Sequence, residues 1–233
     1  MEGIKNLEYR GYDSAGLAVL EERGAVSSEK AVGRIAALEE KIGSRKFSGN
    51  LGIIHSRWAT HGGVTETNAH PHSDCQGRIW LVHNGIVENY KELKEKLKET
   101  GHSFKSETDT EIIAHLIEEE LKGYTFEDAV RLALQKIRGT YGLAIFSKDK
   151  PGVLIAARNF SPLLFGIGNG EYIVASDASA VLKHTKQVIY LDDGEMAVLT
   201  PNEHKVYDLG RNIHEKELHE IEWSQEEAQK GGH

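Results

Sequence analysis

Tyr141-Gly142-Leu143-Ala144-Ile145-Phe146-Ser147-Lys148-Asp149-Lys150-Pro151-Gly152-Val153-Leu154-Ile155-Ala156-Ala157 is the stretch that decides the fold class. Two short apolar runs flank an Asp-Lys-Pro-Gly turn signal, the pattern of two paired strands. The rhythm continues through residues 163–167, 172–175, 188–191 and 196–199, with Gly168-Asn169-Gly170 as a further turn. Six strands this closely spaced read as antiparallel hairpins, because a parallel crossover needs a dozen or more intervening residues.

Upstream the pattern is mixed. Residues 17–20, 51–55 and 79–83 are predicted strands, the last ending at Asn84-Gly85, beyond which the chain looks helical. Residues 1–10 read as the last turns of a helix, and residues 33–42 and 88–100 as two more. Thr108-Asp109-Thr110-Glu111 has the capping-box spacing and opens a helix with Ile112, Ile113, Leu116 and Ile117 on its apolar face. Another helix starts at Thr125 and stops at Gly139. Strands accompanied by helices in two groups predict an α+β layered sandwich. Residues 1–210 form one domain on this reading, and the polar stretch 211–233 begins a linker.

The chain has 233 residues, 39% apolar and 27% charged, with a net charge of −8. Its longest apolar runs are six residues or fewer, against about 20 for a membrane-spanning helix. No basic stripe suits nucleic acid or an anionic membrane. No signal-peptide pattern follows Met1, so a soluble, cytoplasmic protein is expected. One cysteine, Cys75, excludes an internal disulfide framework and a Cys-x-x-Cys site.

Five of the 12 histidines fall between His55 and His83. His70-Pro71-His72 has the look of a metal-ligand pair, yet no His-Glu-x-x-His pattern or partner Cys/Asp spacing supports it. A turn whose histidines bond the backbone is the plainer reading, and no metal or cofactor is expected. Arg57, just past a strand, suits a bidentate grip on a carboxylate or a surface ion pair. Asn84-Gly85 is either a hairpin turn or an oxyanion hole made of the Asn84 amide and the Gly85 N–H. Asp109 sits where a helix dipole favours a carboxylate in any case. Cys75 lies in a polar turn with no activating neighbour evident, so a structural role is expected. Gly166-Ile167-Gly168-Asn169-Gly170 does not fit a dinucleotide fingerprint.

Read in order, Leu7-Glu8-Tyr9-Arg10-Gly11-Tyr12-Asp13-Ser14-Ala15-Gly16, the run from His55 to Gly62, Asn68-Ala69-His70-Pro71-His72, His83-Asn84-Gly85-Ile86-Val87-Glu88-Asn89-Tyr90 and Ser106-Glu107-Thr108-Asp109-Thr110-Glu111 resemble a known set. They are similar to the class II glutamine amidotransferase domain of the glutamine–fructose-6-phosphate aminotransferases (isomerising), the glucosamine-6-phosphate synthases. The resemblance implies a four-layer αββα sandwich of Ntn-hydrolase type. It implies that glutamine is hydrolysed to glutamate and that ammonia passes to fructose 6-phosphate, giving glucosamine 6-phosphate. Arg57 would hold the substrate α-carboxylate and Asp109 the α-ammonium; Asn84 and Gly85 would form the oxyanion hole. Thr60 and His61 would line the pocket, Trp58 would sit on a mobile shielding loop, and Arg10 and Gly11 would neighbour the nucleophile.

In that family the nucleophile is an N-terminal cysteine on a strand ahead of the Tyr-Arg-Gly-Tyr-Asp motif. Only six residues precede Leu7 here, so the nucleophile and its strand are expected to be absent and the chain inactive by itself. The isomerase domain that binds fructose 6-phosphate is likewise expected to be missing, and the full-length enzyme to be a homodimer. The alternatives are a glutamine-binding module without catalysis and a metal-dependent hydrolase built on the histidine cluster.

Overall fold

The structure, a computed structural model, describes residues 1–8 and 12–222. In chain order the helices are α1 (Glu2–Lys5), α2 (Ile35–Ile42), α3 (Tyr90–Glu99), α4 (Glu111–Glu120) and α5 (Phe126–Gln135). The strands are β1 (Ser14–Leu20), β2 (Val26–Val32), β3 (Leu51–Arg57), β4 (His72–Ser73), β5 (Ile79–Val87), β6 (Gly139–Ser147) and β7 (Leu154–Asn159). Seven more follow: β8 (Leu164–Ile167), β9 (Tyr172–Ala175), β10 (Gln187–Tyr190), β11 (Glu195–Leu199), β12 (His204–Asp208), β13 (Ile213–His214) and β14 (His219–Glu220).

Strand parity builds the layers, because successive side chains leave opposite faces of a sheet. One antiparallel sheet runs β13-β12-β11-β7-β6-β5-β4. Its odd-numbered Ile79, Leu81, Leu143, Ile145, Ile155 and Ala157 pack against Leu93, Leu97, Ile112, Ile117, Val130 and Leu134 of α3, α4 and α5. Its opposite face meets two smaller sheets. Val82 and Phe146 pack on Ala18, Leu20 and Ile53 of the sheet β2-β1-β3. Ala156, Ala197 and Leu199 pack on Phe165 and Ile189 of the sheet β14-β10-β8-β9. Behind the smaller sheets, Ala15 and Leu17 turn outward to Ile35 and Leu38 of α2, and Leu164 and Val188 to Leu7 and Val181. The result is the four-layer αββα sandwich. Each fully buried Leu or Ile in these layers contributes about 1.5–3 kcal/mol.

The helices show why they form where they do. On α3, Leu93 and Leu97 bury one stripe while the Glu92–Lys96 pair, 2.7 Å apart, decorates the other. The Thr125 hydroxyl caps α5 by accepting the Asp128 N–H at 3.3 Å. No side chain of its own caps α2; the Glu8 carboxylate accepts the Ile35 N–H at 3.0 Å from 27 residues away.

Several boundaries differ from the sequence reading. β5 does not end at Asn84-Gly85 but continues paired with β6 to Val87, and α3 opens two residues later than predicted. Backbone pairing with β6 holds this segment extended. The capping box is half made: the Thr108 hydroxyl accepts the Glu111 N–H at 3.4 Å, but the Glu111 carboxylate turns to the Lys105 and Ser106 N–H groups. α5 stops at Gln135 rather than Gly139, which starts β6. β2 was not predicted, since Val26-Ser27-Ser28-Glu29-Lys30 carries little apolar signal; pairing with β1 along its whole length makes it a strand. In the stretch expected to begin a linker, β13 pairs with β12 and β14 with β10; residues 223–233 lie outside the described residues. Among the described residues no helix is long and apolar enough to cross a membrane.

Candidate active site

β3 and β5 face each other across the two central layers, and the site grows from their alternation. Ile53, His55 and Arg57 are the buried residues of β3, while Val82 and Asn84 share the opposing face of β5. Between them lies a cavity of about 580 Å³. Its walls include Arg57, Trp58 and Thr60, then Asn84 and Gly85, then Asp109 and Thr110. It extends between β3 and β9, the end strands of the two smaller sheets, both of which contribute to its lining.

Arg57 is 4% exposed. Its guanidinium donates to the carbonyls of His61 and, at 3.3 Å, Gly63, which folds the following loop back over it. Burial disfavours its charge, while the carboxylates of Asp109 and Asp13 favour it. Asp109 is 3% exposed and stands just before the Thr110 cap of α4, so the sequence reading, which put it in the first turn, started the helix two residues early. Its Oδ2 accepts the Val87 N–H at 2.7 Å, which locks the carboxylate to the end of β5. A cation and an anion thus stand fixed on the walls of one cavity.

Asn84 is oriented by His55, whose Nε2 is 2.7 Å from Asn84 Oδ1. Burial holds the His55 pKa down at about 4, so the ring is neutral and its Nε2–H donates to that oxygen. The Asn84 NH2 is left as a donor for a developing oxyanion. Gly85 has φ +144°, and a Cβ there would stand 2.1 Å from the Thr140 carbonyl oxygen. Only glycine fits, and the hairpin-turn alternative falls because both residues lie within a continuous strand pair.

Trp58 is 60% exposed on the rim, with Tyr12 at 6.1 Å between ring centroids. The 57–63 loop is tied down by residues the sequence reading gave no role. Asp13 accepts the Ala59 N–H at 3.0 Å, and Asn68 donates to the Gly63 carbonyl at 3.0 Å and to Glu107 at 3.1 Å. His61 departs from expectation: it does not line the cavity, its ring packing edge-on to Tyr90 while its carbonyl serves Arg57. Arg10 and Gly11 lie outside the described residues.

The histidine cluster is a buried stack. His55 and His70 lie 4.5 Å apart with near-parallel rings, and His70 meets His72 edge-on at 4.9 Å. His70 Nδ1 accepts the His83 N–H at 3.4 Å, His72 Nε2 meets the Thr108 hydroxyl at 3.1 Å, and His83 Nδ1 meets the Thr110 hydroxyl at 3.0 Å. Burial pushes all four pKa values down, His72 to about 3. His55 Nε2, His70 Nδ1, His72 Nε2 and His83 Nδ1 each meet a different partner, and among the described residues none of these histidines falls in a group that could hold a metal ion.

A profile of the glutamine amidotransferase domain family matches residues 55–183, more than half of the chain. The chain belongs to the glutamine amidotransferase domain family. Its relatives include the glutamine–fructose-6-phosphate aminotransferases (isomerising) of Thermococcus kodakarensis, 53% identical, and Pyrococcus horikoshii, 49% identical. Both alignments cover 100% of this chain and 39% of the relative, so the chain spans about two-fifths of their length. Among solved structures, the glutamine phosphoribosylpyrophosphate amidotransferase of B. subtilis superposes with a TM-score of 0.76 at 28% identity. That match covers 91% of this chain and 46% of the other. A class II glutamine aminotransferase domain protein from Silicibacter pomeroyi shares the fold, with a TM-score of 0.61 at 17% identity, covering 84% of this chain and 91% of its own. The amidotransferase fold here is the Ntn-hydrolase sandwich, and the site lies where the large sheet faces the two smaller ones.

Proposed function

We propose that this amidotransferase domain is the glutamine-hydrolysing half of a glutamine–fructose-6-phosphate aminotransferase. The observation that carries the reading is the buried pair on the cavity walls: Arg57 matches an α-carboxylate and Asp109 an α-ammonium, as a free amino acid requires. A glutamine held by both ends directs its carboxamide along the cavity toward Asn84 and Gly85. There the Asn84 NH2 and Gly85 N–H stabilise the oxyanion as a thiolate adds to the amide carbon. Collapse of that adduct breaks the C–N bond and releases ammonia; water then cleaves the thioester to glutamate.

Cys75 is the single cysteine and does not line this cavity. On this reading the attacking thiol is the cysteine that the family resemblance implies, and the cavity between β3 and β9 is where it would act. The chain by itself captures glutamine without turning it over. Transfer of the ammonia to fructose 6-phosphate, a homodimeric assembly and a cytoplasmic location belong to the same proposal. So does the division into a domain and a linker, with β13 and β14 on the domain's side of the boundary.

Calorimetric titration with L-glutamine tests the reading. Binding heat without glutamate release is expected, with affinity at least about tenfold lower in Arg57→Ala, the loss of one charge-assisted contact. Arg57→Ala binding as tightly as the wild type, or no binding at all, removes the reading.

A further inference from the structure

On the helical side of the large sheet, four side chains with no part in glutamine binding converge on one point. Cys75 Sγ lies 3.7 Å from His102 Nδ1 and 3.5 Å from His115 Nδ1. The two Nδ1 atoms are 3.3 Å apart, and Glu118 Oε2 stands 3.0 Å from the first and 3.3 Å from the second. All four ligand atoms fall within 4.8 Å of one another. A tetrahedral zinc ion, with bonds of about 2.0–2.1 Å to nitrogen and oxygen and 2.3 Å to sulfur, sets edges of about 3.3 Å between nitrogens and about 3.6 Å between nitrogen and sulfur. Five of the six separations, 3.0–3.7 Å, match those edges, and the sixth, Cys75 Sγ to Glu118 Oε2, is within 4.8 Å.

A hydrogen-bonded cluster accounts for the arrangement less well. His102 Nε2 faces Glu119 Oε2 at 2.9 Å and donates to it. In the neutral ring this leaves Nδ1 a lone pair, aimed at a carboxylate oxygen and a second imidazole. Glu118 Oε2 also accepts the Cys75 N–H at 3.2 Å. The arrangement is relieved either by a proton on Nδ1, shared with Glu118, or by a metal cation between the three atoms, and only the metal also accounts for the approach of the thiol and the second imidazole. His115 also has a carboxylate behind its ring, at a longer distance. It is 1% exposed, its Nε2 lies 3.6 Å from the Glu111 carboxylate, and that nitrogen makes no hydrogen bond within the protein. Carboxylates behind both rings are the outer shell that metal-bound histidines usually carry.

The chain is arranged to present these atoms. His115 and Glu118 are three apart on α4 and so share one face, on a helix buried nearly all round. Cys75 comes from the turn before β5, where Asp74 accepts the Arg78 and Ile79 N–H groups at 2.6 and 3.0 Å. His102 comes from the segment after α3. One thiol, two imidazoles and one carboxylate suit zinc rather than magnesium or calcium, and four protein donors leave no open position. We propose that Cys75, His102, His115 and Glu118 form a closed structural zinc site tying the β4–β5 turn and the α3–α4 connection to α4. The proposal stands independently of glutamine binding. It reverses the expectation of no metal, which rested on short-motif spacings that these four residues do not follow.

Metal analysis of the protein purified without chelator should find about one zinc per chain. Chelation should lower the thermal midpoint, and zinc should restore it. Cobalt(II) should replace the zinc with a tetrahedral visible spectrum and a thiolate charge-transfer band that disappears in Cys75→Ser. Glu119→Gln, which leaves all four ligands in place, should weaken zinc binding about 10–100-fold. Protein that neither contains zinc nor gives the cobalt spectrum overturns the proposal. So does a Cys75→Ser variant that retains the charge-transfer band, because the thiolate is then not a ligand.

Discussion

Replacing Asp109 by Asn changes one charge in the site and almost nothing else. The residue is buried, and its Oδ2 accepts the Val87 N–H at 2.7 Å; an amide oxygen in the same place accepts that bond equally well. Stability should therefore move by less than about 1 kcal/mol. What is lost is the anion facing an ammonium across the cavity. A hydrogen bond to a charged group is worth about 1.5–3 kcal/mol, so glutamine affinity should fall about 10–150-fold. Calorimetry with L-glutamine and with its analogue lacking the α-amino group separates this effect from general damage. The analogue should bind wild type and Asp109→Asn within about twofold of each other, whereas glutamine should discriminate strongly. Equal losses for both ligands, or none for glutamine, would refute the assignment of Asp109 to the ammonium.

The His55 ring, with its pKa held at about 4 by burial, should make the fold acid-sensitive. Its folded pKa lies below the unfolded value of about 6.5, so the unfolded chain binds the extra proton first. Stability is then full above pH 6.5 and falls between pH 6.5 and 4, by about 3 kcal/mol from this ring alone. Thermal midpoints measured across that range should decline steadily, and a flat profile down to pH 5 would contradict the buried neutral ring. Gly85→Ala forces a Cβ to 2.1 Å from the Thr140 carbonyl oxygen at φ +144°. Denaturant unfolding should show a loss of about 1–3 kcal/mol, and an unchanged midpoint would mean that β5 and β6 shift freely.

The layered fold was legible because its signals are local. The six predicted strands from residue 142 onward all formed, since apolar runs between turn residues have few other ways to hide their side chains. The apolar faces of α3, α4 and α5 were equally plain. β2 was not, because Val26-Ser27-Ser28-Glu29-Lys30-Ala31-Val32 becomes a strand only by pairing with β1. The same holds for Ile86-Val87, kept extended by β6 against their helical appearance.

For the site, the sequence by itself determined which residue types were available: Arg57, Asn84, Gly85 and Asp109 could be named, together with a family pattern that assigned them roles. Only the tertiary structure decided that Arg57 and Asp109 wall one cavity, that His55 orients Asn84, and that the His61 ring points elsewhere. Cys75 is the sharpest case. Read along the chain it is a lone thiol 27 residues from His102 and 40 from His115. Propensity and periodicity act over a few residues, whereas convergence at 3–4 Å comes from packing α4 against the edge of the large sheet. No spacing rule in one dimension carries that information.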